Sequence, residues 1–202
     1  MRKVFLFLSL LLSTSTADQR LPDSDKHPSD EENEQVFVFS LAGDPATYHP
    51  DLKTDDFAYI INQNVFNRLV KLGPNDNVLP DLAEKLGVFP TTTKTLTFHL
   101  HDGVKWHDGE PFTSADVKWT YDTLMAEKWA KSDNFTTVES IECPDDNTVV
   151  MNLKDTDVSI ITKLSWYGTF IMPKHLYEGT DQTPQRIQST SGRHRSVQVC
   201  RT

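Results

Sequence analysis

The sequence predicts a mixed α/β fold, and three observations carry that prediction. In "FAYIINQNVFNRLVKL" the apolar residues Phe57, Ile60, Ile61, Val65, Phe66, Leu69 and Val70 fall near helical spacing. In "LTFHLH" Leu96, Phe98 and Leu100 alternate with Thr97, His99 and His101, as in a strand with one buried and one wet face. The stretch "IECPDDNTVVMNL" reads as strand, turn, strand, with Asp145 to Asn147 at the bend. The 202 residues suffice for one ordinary domain with a real core. Charged residues make up 24% and the hydrophobic set 37%, the balance of a soluble globular protein. A formal charge of -9 argues against a nucleic-acid partner.

The elements follow in chain order. Residues 1–17, "MRKVFLFLSLLLSTSTA", combine Arg2 and Lys3, an apolar run from Val4 to Leu12, and small residues before a cut after Ala17. That is the pattern of a cleaved signal peptide, with an apolar run too short to span a bilayer as a helix. Residues 18–35 are polar and acidic and cannot bury enough surface to offset their ordering entropy, so they read as a disordered leader. Order is expected from the β-rich run Val36 to Leu41, which stops at the turn signal Gly43-Asp44-Pro45.

Asp55 and Asp56 give the helical stretch an acidic start, and its end merges into a strand at Leu69 to Leu72. "GPNDN" turns the chain back through Val78 and Leu79, and Pro80 is read as opening a short helix over Asp81 to Leu86. After the strand at 96–101, Asp102-Gly103 and Asp108-Gly109 each break the chain, with Val104 to Trp106 extended between them. Thr113 with Asp116 three residues on has the form of a capping box, followed by a helix through Val117, Tyr121, Leu124 and Met125. A short helix is expected over Asp157 to Leu164. "WYGTFIMPKHLYEG" then returns to extended structure before another short helix.

Chemistry is less well served than structure. His99 and His101 leave the same face of a strand and could both touch one ion, but no Cys or carboxylate stands at a ligand spacing, so no metal site is assigned. Asp102, Asp108, Glu110 and Asp116 form a carboxylate-rich segment such as a secreted carbohydrate-active hydrolase could use. Turn and cap roles account for them more simply: Asp102 and Asp108 precede glycine, and Asp116 sits in the first turn of a helix. No GxSxG, HExxH or Walker motif occurs, and no catalytic residue or cofactor is assigned. Trp106, Trp119 and Trp129 could stack on sugars, but core packing accounts for them better. Cys143 and Cys200 alone make no disulfide framework.

The segment "LTFHLHDGVKWHDGEPFTSADVKWTYD" closely resembles the signature of the family 5 extracellular solute-binding proteins, the oligopeptide, dipeptide and nickel-chelate receptors of ABC importers. "GDPATYHPDL", "VFNRLVKLGPNDNVLPDLAEKL", "PDDNTVVMNL" and "MPKHLYEG" resemble that family in the same order, so the likeness covers residues 36–181. His101 stands where arginine is usual, at a position that points outward. The resemblance implies a periplasmic binding protein type II-like fold, here the N-terminal part of the domain: the first lobe with a small inserted subdomain, and no second lobe. It implies a monomeric, non-enzymatic receptor, periplasmic or extracellular, that captures peptides or similar small solutes and presents them to a membrane permease. A nickel or haem chelate is the alternative cargo within the family. Peptides would be held largely through their backbone. Asp44 and Tyr48, in the loop after the first strand, and Trp166 and Tyr167 are the expected cleft residues.

Residues 182–202 form a basic tail, with Arg186, Arg193, Arg195 and Arg201 and no acidic residue. Read one nucleotide out of register, Ile187 to Val199 can encode "FNQHPVGTGPFK", which resembles what the family places next. The tail is therefore expected to be a frameshift product, which the nucleotide sequence tests directly. A chain cut there is expected to leave strand edges and apolar faces uncovered.

Overall fold

The computed structural model describes residues 40–52, 55–87, 94–165 and 170–180 and the strand at 199–200. The expected signal peptide and leader, residues 36–39 of the strand expected over Val36 to Leu41, and most of the basic tail lie outside the described residues. The chain divides into two units, residues 1–44 and 45–202. Of the first, residues 40–44 are described; they form no regular element, and Asp44 is exposed.

In the second unit, helix α1 (Asp56–Asn62) starts at Asp55, whose Oδ1 accepts from the amides of Phe57 and Ala58 at 2.9 Å each. The expected helix is longer. It stops because asparagine side chains compete with its ladder: Asn64 Nδ2 donates back to the Ile60 carbonyl at 2.7 Å, and Asn67 Nδ2 turns to the Asp81 carboxylate at 3.0 Å. Strands β1 (Val70–Leu72) and β2 (Val78–Pro80) then pair antiparallel, Lys71 facing Leu79, as the sequence indicates. The turn between them puts Asn75 and Asp76 at φ 62° and 59°, the left-handed region that short polar side chains tolerate best.

The helix expected over Asp81 to Leu86 does not form. Tertiary bonds take its backbone: the amides of Asp81, Leu82 and Ala83 donate to the carbonyls of Leu69, Arg68 and Leu69, and that of Glu84 to His99. The Asp81 carboxylate, which would have favoured a first helical turn, accepts from Asn67 Nδ2, from the Arg68 amide at 3.0 Å and from Lys71 Nζ at 3.1 Å. It ties the entry of β1 to the exit of β2. We expect Asp81→Ala to lower stability by about 2 kcal/mol, because buried donors lose a charged acceptor; urea unfolding measures this.

The main sheet is antiparallel and ordered β3-β6-β5, from β3 (Thr95–His99), β5 (Val138–Asp145) and β6 (Thr148–Leu153). Its register faces Leu96 with Met151 and Phe98 with Val149, and Ile141 flanks Met151 on the far side. These side chains are buried, while His99 and His101 are exposed. Helix α2 (Ser114–Ala126) lays Val117, Tyr121 and Leu124 into the same core. Trp106 and Trp129 are buried there too, and Trp119 packs against it, so all three tryptophans serve packing.

The capping box is present, and Asp116 does more than cap. Its Oδ2 accepts from the Thr113 amide at 2.9 Å and from Trp106 Nε1 at 3.4 Å, and its Oδ1 accepts from the Lys174 amide at 2.8 Å. Strand β4 (Lys105–Trp106) pairs with β7 (Val199–Cys200). Gly103 and Gly109, at φ 71° and 90°, supply the two expected breaks around β4. Short helices α3 (Ile160–Ser165) and α4 (Lys174–Tyr177) complete the order. Asp157, just before α3, accepts from the Ser159 amide at 2.9 Å and from Lys163 Nζ at 2.8 Å.

Candidate functional site

Tyr48 lies on a loop held from both ends. Upstream, the Ala46 amide donates to Asp55 Oδ2 at 2.7 Å, so one carboxylate both starts α1 and anchors the loop; the Ala46 bond, followed by those of the α1 amides, lowers the Asp55 pKa. Thr47 just before Tyr48, and His49 and Asp51 just after it, are buried. His49 Nδ1 accepts from the amides of Asp51 and Leu52 at 3.2 and 3.0 Å, which fixes the proton of the neutral ring on Nε2. The His49 ring meets Trp129 edge-on at 4.7 Å. With its neighbours turned inward, the Tyr48 side chain is left 39% exposed.

Asp51 is wholly buried at the centre of this region. Its Oδ1 receives the Phe170 amide at 3.4 Å and Lys131 Nζ at 3.5 Å, both long, and its Oδ2 has no hydrogen-bond partner among the described residues. Burial pushes its pKa up to about 6, against the opposing pull of Lys131, the Phe170 amide and Arg68. The same burial raises the Tyr177 pKa, and the charge of Asp51 adds to it. The sign for stability follows from the raised value: the folded state holds the Asp51 proton more tightly than the unfolded chain. Stability from this group is therefore full below about pH 4 and is lost as pH rises through about 6. We expect melting temperatures measured from pH 4 to pH 7 to fall more steeply for the native protein than for Asp51→Asn.

Arg68 is a second buried charge in this region, 7% exposed. Its guanidinium carbon lies 4.2 Å from the centre of the Phe170 ring and 5.2 Å from that of Tyr59, and Nη1 donates to the Ser165 carbonyl at 3.4 Å. Lys131 Nζ lies 5.5 Å from the same Phe170 ring. Tyr59 is 38% exposed and forms an aromatic outer surface beside the cation.

Of the expected cleft residues, Tyr48 is thus on an exposed, anchored loop and Asp44 is exposed in the first unit. Trp166 and Tyr167 lie outside the described residues; Ser165 and Phe170, on either side of them, both contact Arg68. The sequence reading missed Asp51, Tyr59, Arg68, Lys131 and Phe170. The one signal for them was a lone arginine inside the apolar run "VFNRLVKL". Among the described residues no group of three or more His, Cys, Asp or Glu could hold a metal ion, and no helix is long and apolar enough to cross a membrane.

Comparison with known proteins gives this arrangement a context. Residues 77–193 match the family model described as bacterial extracellular solute-binding proteins, family 5 Middle. That match leaves out the segment from Val36 to Asp76 and takes in the first part of the basic tail. The dipeptide-binding protein of Escherichia coli is 37% identical over 97 residues, 44% of this chain and 18% of its own length. The solved oligopeptide-binding protein AppA of Bacillus subtilis, in complex with a nonapeptide, is 27% identical with a TM-score of 0.63, over 69% of this chain and 28% of that one. NikZ of Campylobacter jejuni, solved with Ni(L-His), is 28% identical with a TM-score of 0.60, over 71% of this chain and 29% of that one. The chain spans about a quarter of the length of the curated relatives it matches first, 26%. The fold is accordingly that of part of a lobe of a type II periplasmic binding protein. With a family match over more than half of its residues, the chain belongs to the bacterial extracellular solute-binding proteins, family 5.

Proposed function

We propose that this chain is the first-lobe portion of a receptor that captures peptides or similar small solutes outside the cytoplasmic membrane and delivers them to an ABC permease. The observation that carries the reading is the family match, together with the likeness to AppA, solved with a nonapeptide. The described residues add a physical basis: an anchored loop exposes Tyr48, and Tyr59 presents an aromatic surface over a buried arginine. A receptor of this architecture works by population shift, the solute binding the closed state of two lobes better than the open one. One lobe alone supplies only part of that differential affinity. Export through the signal-peptide pattern at residues 1–17 fits capture outside the membrane, and a monomer that breaks no bond fits the same reading.

Titration calorimetry tests this with the nonapeptide class that AppA was solved with. The chain alone is expected to give no micromolar isotherm. A chimera carrying residues 45–180 in place of the matching part of AppA is expected to bind in that range. Hydrolysis of a peptide or glycan by the chain, or a folded chimera with no affinity, would overturn the reading. The nickel reading keeps one specific support, the likeness to NikZ; metal content of the purified chimera after exposure to nickel and histidine separates the two cargoes.

A further inference from the structure

Arg68 uses one of its three guanidinium nitrogens. Nη1 donates to the Ser165 carbonyl, while Nε and Nη2 are buried without a hydrogen-bond partner among the described residues. These two are not an arbitrary pair. Nε–H and the adjacent Nη2–H point in parallel along one edge of the planar group, the edge that meets both oxygens of a carboxylate at once. The plane itself is held, by Phe170 and Tyr59 at 4.2 and 5.2 Å and by the bond to Ser165. A fixed guanidinium with its paired donors empty carries a desolvation penalty that an anion on that edge would offset.

Asp51 feels the charge of Arg68, which pulls its pKa down against the effect of burial. It does not fill the edge. Its Oδ1 is engaged with the Phe170 amide and Lys131, its Oδ2 has no partner, and no ion pair joins it to Arg68 among the described residues. Tyr59, over one-third exposed, lies with its ring 5.2 Å from the guanidinium carbon.

We propose that Arg68 binds the carboxylate group of a solute on its Nε–Nη2 edge. This deepens the receptor reading and rests on it for the identity of the solute, which would carry a free carboxylate.

The probe is sodium acetate added to the full chain at pH 7.5, with sodium chloride at equal ionic strength as the control. Two-dimensional nitrogen-15 spectra follow the Arg68 Nε–H signal, assigned by its contacts to the Tyr59 and Phe170 rings. Acetate is expected to shift that signal saturably and to raise the melting temperature above the chloride control. Arg68→Lys, which keeps the charge and lacks the paired edge, is expected to lose the acetate-dependent rise. An Nε–H signal that ignores acetate overturns the proposal on the native protein alone, whether or not the variant folds. An equal acetate effect in Arg68→Lys also overturns it. So does a signal that moves on Asp51→Asn and not with acetate, which would assign the edge to Asp51. Acetate binding is read without peptide, so a failed peptide titration would count against the receptor reading and leave the arginine site standing.

Discussion

Asp116→Ala is expected to destabilise the protein by about 3–4 kcal/mol, among the largest effects of any single polar substitution here. The carboxylate accepts three donors from three places in the chain: the Thr113 amide at the start of α2, the Trp106 indole of β4 and the Lys174 amide that opens α4. Alanine removes a cap and leaves a buried indole N–H and a partly buried amide without acceptors. Asp116→Asn separates the contributions, because the amide oxygen can serve one side of the site while its NH2 faces donors on the other. We expect an intermediate loss of about 2 kcal/mol for it. Urea unfolding of both variants, followed by tryptophan fluorescence, measures the difference. A loss under about 1 kcal/mol for alanine would show that solvent reaches these donors.

Phe98→Ala is expected to cost about 3–5 kcal/mol, from lost transfer energy plus the cavity left in a tightly packed interior. Phe98 is 1% exposed and sits opposite Val149 in the central pairing of the sheet, with α2 closing the core above. Phe98→Leu keeps most of the volume and should cost far less, about 1–2 kcal/mol. Thermal melting ranks the two. If both lose the same amount, the ring contributes shape rather than bulk, and the cavity argument fails at this position.

Much of the fold was legible because its signals are local. Alternation of Leu96, Phe98 and Leu100 fixes which face of β3 is buried, and the structure buries those three. Thr113 and Asp116 announce the start of α2 through a reciprocal cap that needs no information from elsewhere. Glycine after aspartate marks the two turns around β4. The misses share one cause, competition from residues distant in sequence. Pro80-Asp81 has the chemistry of a helix start, but Asn67, Arg68 and Lys71 claim the Asp81 carboxylate across the β1–β2 pair. Helical spacing persists from Phe57 to Val70, yet α1 ends at Asn62, and after that point the phase of the pattern says nothing about direction. Arg68 falls on the same face as Phe57 and Ile61 in the expected helix, a face on which a charge is costly, and the structure buries it beyond the end of α1 against Phe170 and Tyr59. The candidate site was therefore only partly readable: its exposed Tyr48 could be named from the loop, while the buried Asp51 and Arg68 meet partners 80 to 119 residues away that no local pattern signals.

The strand order β3-β6-β5 has a consequence for synthesis on the ribosome. The middle strand is the last of the three to be translated, so β3 and β5 emerge with no neighbour between them and cannot zip together until Leu153 has cleared the exit tunnel. During that interval two unpaired strands, one carrying Leu96 and Phe98 and the other Val138 and Ile141, coexist on one nascent polypeptide, and chaperone capture or slow codons near residue 153 would govern how many molecules reach the right pairing.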